Sequence, residues 1–298
     1  MITELSILIT IFFILALGTI IGIAYLASGK MIKPPRRKGE WTPKDLGHQY
    51  ENIEIRTKDG IILRGWLVKG NKDKTVVLIH GYTSSRWDEG YMKQALSILA
   101  RNGYNVAVFD MRAHGASTGE FTTLGYRESE DVMQIIDWLE ERNLASRLGL
   151  MGFSMGGAIT LIVSSLDPRV KASVADSPYI DIRNSGMRWV RRVKGVMGML
   201  LRISYPLIVW FTARRAGIRP ENLVMYNFAE KIKIPLLIVA GAQDDLVSPD
   251  EIKKFYDLAR RSNEKVELWL TSSAHVSSII DYPEEYEKRI IGFFERWL

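Results

Sequence analysis

A chain of 298 residues, 47% hydrophobic and 25% charged, has ordinary globular composition and the length to bury one large core, which excludes a disordered or fibrous protein. Its formal charge of +6 is concentrated: nine basic and no acidic residues lie between Ile182 and Pro220, and five more basic residues lie between Lys30 and Gly39. The remainder is net acidic, which argues against a nucleic-acid partner bound across the fold, and the absence of cysteine excludes disulfides and thiolate metal sites.

The chain opens on a run of 25 residues, Leu5 to Gly29, without a charge. At about 1.5 Å per helical residue this exceeds the roughly 30 Å hydrocarbon core of a bilayer. A cleaved signal peptide would place basic residues ahead of a shorter apolar stretch, whereas this flank carries only Glu4. Residues 1–29 therefore read as a retained transmembrane anchor. Lys30, Lys33, Arg36, Arg37 and Lys38 follow it, and the positive-inside bias makes this a single-pass protein of the cell membrane with residues 30 onward in the cytoplasm. Residues 30–48, basic and containing Pro34, Pro35 and Pro43, read as a linker with few core contacts. Removal of residues 1–30 is accordingly expected to leave a soluble, folded domain.

Residues 49–298 form one domain in which strand-like and helix-like segments alternate. Glu54–Arg56 and Ile61–Val68 flank Lys58-Asp59-Gly60 as an antiparallel hairpin. Short runs rich in Val, Ile and Leu follow at Thr75–Ile79, Asn105–Phe109, Leu148–Met151, Val170–Ala175, Pro235–Val239 and Lys265–Leu270, as in strands buried on both faces. Between them lie the helical patterns Tyr91–Asn102, Gly125–Asn143, Gly156–Leu166, Asp250–Ser262 and Glu284–Leu298. The alternation predicts an α/β fold, a mostly parallel sheet with helices on both faces.

One stretch interrupts it. The segment of about 182–228 is far longer than a single crossover requires and reads as a helical lid insertion. Arg202 and Pro206 argue against a second membrane span there. Its tryptophans, apolar runs and arginines, Arg188, Arg191 and Arg192 among them, suggest both a cover for the pocket and a second contact with the membrane.

The pattern Gly-x-Ser-x-Gly occurs twice, at Gly152–Gly156 around Ser154 and at Gly115–Gly119 around Ser117. A nucleophile elbow must follow a buried strand and open a helix. Ser154 stands between the apolar run Leu148–Met151 and the small residues of Gly156-Gly157-Ala158, whereas Ser117 opens no helix. Ser154 is the nucleophile candidate and Ser117 a loop serine. A serine hydroxyl needs a base, and His275 is the one histidine downstream of Ser154, as the chain order Ser, acid, His requires. Asp244, Asp245 and Asp176 compete for the third place, and spacing does not choose between them. The tetrahedral intermediate needs two backbone N–H donors: that of Met155, after the nucleophile, and that of Tyr82, in the turn after Thr75–Ile79.

The segments His80-Gly81-Tyr82, Asp110–Ser117, Gly152–Gly157, Asp244-x-x-Val247 and Ala274-His275 together resemble the ordered motif set of the α/β-hydrolase superfamily. They are most similar to its membrane-anchored, serine-aminopeptidase-like branch, and the resemblance spans about residues 50–298. It implies a triad of Ser154, Asp244 and His275, with Asp244 preferred because it lies three residues after Gly241 and three before Val247. Ser248 departs from the proline common there, and Ala113 from the glycine usual in the second motif. An aminopeptidase needs carboxylates around a bound ammonium, and the lid has none between Ile182 and Pro220. The expected function is therefore a carboxylesterase or lipase-like serine hydrolase acting on a carboxylic ester, thioester or lipid through an acyl-enzyme, without cofactor or metal. The alternatives are an aminopeptidase or amidase with the same triad, and a non-catalytic member of the fold.

Overall fold

The structure is a computed structural model that describes residues 2–298, with side chains from Glu4 onward. A 31-residue helix, α1 (Ile2–Ile32), precedes the domain. The hairpin β1 (Tyr50–Arg56) and β2 (Ile62–Val68) leads into β3 (Thr75–Ile79), α2 (Tyr91–Arg101), β4 (Asn105–Asp110), α3 (Tyr126–Glu140), β5 (Leu148–Phe153), α4 (Met155–Leu166) and β6 (Val170–Asp176). The insertion contributes α5 (Ile182–Arg191), α6 (Gly195–Ala216) and the short α7 (Tyr226–Ala229). The chain closes with β7 (Leu236–Gly241), α8 (Pro249–Arg260), β8 (Val266–Thr271), α9 (Ser278–Asp281) and α10 (Pro283–Trp297). The eight strands form one sheet in the order β1-β2-β4-β3-β5-β6-β7-β8, antiparallel at β1–β2 and β2–β4 and parallel from β4 to β8. This is the α/β-hydrolase fold.

Two apolar layers hold the sheet, and each strand feeds both. In β3, Val77 and Ile79 face one layer with α3, α4 and α8, while Val76 and Leu78 face the other with α2 and α10. The alternation is the two-residue period of a strand, and burial on both faces explains why these segments read as unbroken apolar runs. All parallel strands present their carboxyl ends at one edge, where ligands of such sheets bind.

Residues 30–48 do not form a loose linker. The α1 helix runs on to Ile32, whose carbonyl accepts the Thr122 N–H at 2.8 Å. Ile32 and Pro34 are buried, and Arg36 donates to the carbonyls of Ser117 and Gly119. Trp41 is buried against Trp66, ring centroids 5.3 Å apart, and donates its indole N–H to the Trp87 carbonyl at 2.8 Å. The receiving loop is itself rigid, because the buried Glu128 carboxylate accepts from the Thr122 and Thr123 hydroxyls and from the N–H groups of Thr123 and Gly125. The average polarity of the segment concealed its few apolar residues, and those residues decide how it packs.

Continuous helix α6 joins two apolar runs across Arg202 and Pro206. The insertion is pinned at its base by a bridge between Asp181 and Val224 and by the Met225 N–H donating to the Ile180 carbonyl at 2.7 Å. Arg192 pairs with Asp245, Arg188 lies 4.0 Å from Glu251, and Asn184 donates to Glu251 at 2.6 Å. Two of the three arginines expected at a membrane thus face the domain. Their partners lie outside the insertion, so its own composition could not reveal the pairing.

Candidate active site

Ser154 occupies a forced turn between β5 and α4. Its φ of +53° is a conformation that a non-glycine residue adopts only where the surroundings impose it. The neighbouring glycines make that turn possible. A Cβ on Gly152 would lie 2.1 Å from the Gly156 carbonyl oxygen, and one on Gly156 would lie 2.1 Å from that of Ile79. The Ser154 N–H donates to the Asp176 carbonyl at 2.8 Å, which fixes the turn to the next strand. The side chain stands half-buried at the carboxyl edge of the sheet.

The loop after β8 brings His275 to it. His275 Nε2 lies 2.9 Å from Ser154 Oγ, and Nδ1 lies 2.7 Å from Asp244 Oδ2. With its Nδ1–H donating to the buried Asp244, His275 turns the Nε2 lone pair to the serine hydroxyl. Asp244 is aimed by its own loop, its Oδ1 accepting the N–H groups of Leu246 at 2.9 Å and Val247 at 2.8 Å.

The other two acids face elsewhere. Asp245 is exposed and engaged with Arg192. Asp176 is fully buried, accepting from Tyr286 Oη at 2.7 Å and Ser177 Oγ at 2.9 Å. Desolvation pushes its carboxyl up to about 6. Ser177 Oγ also accepts the Val276 N–H at 3.2 Å, and both residues hold positive φ, so this network braces the loop that carries His275. Tyr286 lies 110 positions from Asp176 on the closing helix, and no local pattern signals its part.

Tyr82 and Met155 flank the serine on the other side. Met155 is the first residue of α4, where N–H groups have no helical partner. The turn after β3 abuts the elbow: a Cβ on Gly81 would stand 3.3 Å from Ser154 Cβ, in contact distance. The Gly81 N–H donates to Tyr91 Oη at 3.1 Å, which fixes this turn. Tyr82 Oη donates to the Met31 carbonyl at 2.9 Å, so the same turn is joined to α1.

The remaining motif residues are occupied. Ser117 Oγ donates to the Asp110 carbonyl at 2.6 Å and accepts the Arg64 N–H at 2.8 Å. His80 donates through Nδ1 to the Gly81 carbonyl and accepts the Met111 N–H on Nε2, and burial lowers it to about 4. Desolvation lowers the buried His114 to about 3. Among the described residues no group of three or more His, Cys, Asp or Glu is placed to hold a metal ion.

A nucleophile with a base at hydrogen-bond distance and an acid behind that base is an arrangement able to transfer an acyl group through a covalent intermediate. Residues 39–198 match the model of the X-Pro dipeptidyl-peptidase (S15) family. The esterase Pf2001 of Pyrococcus furiosus is similar in structure, with a TM-score of 0.79 and 38% identity over 90% of this chain and 98% of that one. Similar sequences include the uncharacterized protein YqkD of Bacillus subtilis, 23% identical over 84% of each chain. The α/β hydrolase domain-containing protein WAV2 of Arabidopsis thaliana is 24% identical over 86% of this chain and 82% of its own.

Proposed function

We propose that this chain, which belongs to the α/β-hydrolase superfamily and within it to the family of the S15 peptidase model, is a membrane-held serine hydrolase that cleaves carboxylic esters through an acyl-enzyme on Ser154. The observation that carries this reading is the continuous hydrogen-bonded line from Ser154 Oγ through His275 to Asp244. In the first step His275 Nε2 takes the hydroxyl proton as Oγ attacks the ester carbonyl. The negative oxygen of the tetrahedral intermediate is received by the N–H groups of Tyr82 and Met155. Collapse breaks the ester C–O bond, and the leaving alkoxide takes the proton from His275. Water, deprotonated by His275, then attacks the acyl-serine; the acyl C–Oγ bond breaks, His275 returns the proton to Ser154 Oγ, and the acid is freed. Asp244 holds the imidazole tautomer and offsets its positive charge while it carries the extra proton.

An ester substrate is favoured over a peptide by two features. The insertion carries no acidic residue from Ile182 to Pro220, and the carboxylates that border that stretch, Asp181 and Glu221, lie against Arg183, as Asp245 does against Arg192. The esterase Pf2001, at 38% identity, supports the same choice. The S15 family model favours the second reading, an amidase or peptidase with the same residues. Purified protein should turn over short p-nitrophenyl acyl esters and be labelled by a fluorophosphonate. Faster cleavage of aminoacyl or Xaa-Pro anilides than of esters would replace the first reading by the second.

Within this reading α1 is the retained membrane anchor and the basic residues after it place the domain on the cytoplasmic side. The apolar length of α1 and the charge of its flank support that.

A further inference from the structure

Helix α6 is an apolar helix with little to cover it. Its most apolar window has a mean hydropathy of 1.5, yet only 28% of it is buried. Val196, Met197, Met199, Ile203 and Trp210 are all about half exposed or more. Such a stripe on a water-facing lid would cost solubility without a gain in packing.

What lies beside α6 is α1. The two helices make the most extensive helix–helix contact in the fold. Tyr25 packs edge-on against Phe211, centroids 5.6 Å apart, and the Arg215 guanidinium lies 3.9 Å above the Tyr25 ring. On α1 the less exposed positions up to Ser28 are Ala16, Ile20, Ile23, Ala24, Ala27 and Ser28, spaced three and four apart as one helical face. Elsewhere on α1, Leu8, Phe12 and Leu26 are apolar and exposed. The outer face of α6 is therefore continuous with the surface of the anchor.

We propose that α6 lies in the bilayer boundary beside α1, its outer face against lipid acyl chains, so that the insertion meets its substrate from the membrane rather than from water. This rests on the reading of α1 as a membrane anchor. Lys194, Arg202, Arg214 and Arg219 are exposed at the start, middle and end of the segment, and their long side chains carry the charge toward headgroups while their stems lie along apolar surface. A spanning helix would bury Arg202 in hydrocarbon. Arg188 and Arg192 stay with Glu251 and Asp245 on the domain, so the contact rests on the apolar face of α6.

The absence of cysteine allows single thiols to be placed on the full chain. Val196→Cys and Ile203→Cys test α6, Leu8→Cys tests the anchor, and Lys171→Cys, exposed where β6 begins away from the site edge, is the aqueous control. Each is labelled with an environment-sensitive fluorophore and reconstituted in vesicles of phosphatidylglycerol and phosphatidylcholine brominated on its acyl chains. Loss of emission at positions 196, 203 and 8, with none at 171, is the expected result. Quenching at 8 without quenching at 196 and 203 leaves the anchor standing and overturns the placement of α6. A blue-shifted but unquenched label at those two positions means that protein, such as a second copy, covers the face, which overturns it as well. No quenching at 8 overturns the anchor reading itself.

Discussion

Tyr82 donates its hydroxyl to the Met31 carbonyl at 2.9 Å, which ties the turn proposed to receive the oxyanion to the last turn of the N-terminal helix. The backbone N–H of Tyr82 serves one end of the molecule and its side chain holds the other. Tyr82→Phe keeps the N–H and removes the tie. It is expected to cost about 1 kcal/mol of stability, the usual net worth of one such bond, and to change ester turnover less than tenfold. Thermal melts and steady-state rates on a short ester check both. A loss as large as that of the serine variant would show that the side chain itself enters the chemistry.

Truncation follows the same contact. A chain beginning at Gly22 keeps most of the face packed on α6 and is expected to match the full chain in melting temperature and short-ester activity. A chain beginning at Lys33 loses the Met31 carbonyl and uncovers the side of α6 held by α1, including Phe211 and Thr212. It is expected to melt lower and to require detergent in gel filtration. A monodisperse, detergent-free and fully active product starting at Lys33 would show that α1 contributes nothing to the domain.

Ser154→Ala should abolish both ester turnover and fluorophosphonate labelling, leaving only the acceleration from the oxyanion site and binding. Ser117→Ala is expected to label like the wild type. It should nevertheless melt lower, because Ser117 Oγ is buried with one donor and one acceptor, and removing it leaves the Arg64 N–H without that partner. Persistent labelling in Ser154→Ala would overturn the nucleophile.

Among the acids, Asp244→Asn should reduce turnover by roughly 10⁴, the penalty of a wrong imidazole tautomer. Asp245→Asn loses only an exposed ion pair with Arg192 and is expected to change turnover a few-fold at most. The choice between the two was not readable from spacing alone. It depends on which carboxylate the loop turns inward, and the Leu246 and Val247 N–H groups decide that by capturing Asp244 Oδ1.

The strands were legible because burial on both faces leaves unbroken apolar runs, and the elbow because a strained turn requires Gly152 and Gly156 at fixed offsets. The placement of residues 30–48 was not, because Ile32, Pro34 and Trp41 find their partners far along the chain. Trp41, for example, packs on Trp66 and donates to the Trp87 carbonyl. The pairing of Arg192 with Asp245 and of Tyr286 with Asp176 joins segments 53 and 110 positions apart. Periodicity reports which face of an element is buried, not what buries it.

Asp176 gives the site a pH dependence of stability that can be isolated. Burial raises its carboxyl from 3.8 to about 6, so between these values the folded form binds more protons than the unfolded one. Stability contributed by this group is therefore present at low pH and falls as pH rises through the window, at a limiting slope of about 1.4 kcal/mol per pH unit. Asn at this position keeps an acceptor for Tyr286 Oη but cannot ionise. Relative to the wild type, Asp176→Asn is expected to gain stability from pH 4 to pH 7, whatever its offset at the acid end. Urea denaturation at pH 4, 5, 6 and 7 reads that difference directly. A stability difference that stays constant, or that moves against the variant as pH rises, would mean that Asp176 is ionised in the folded protein throughout. The brace behind His275 would then be a charged one.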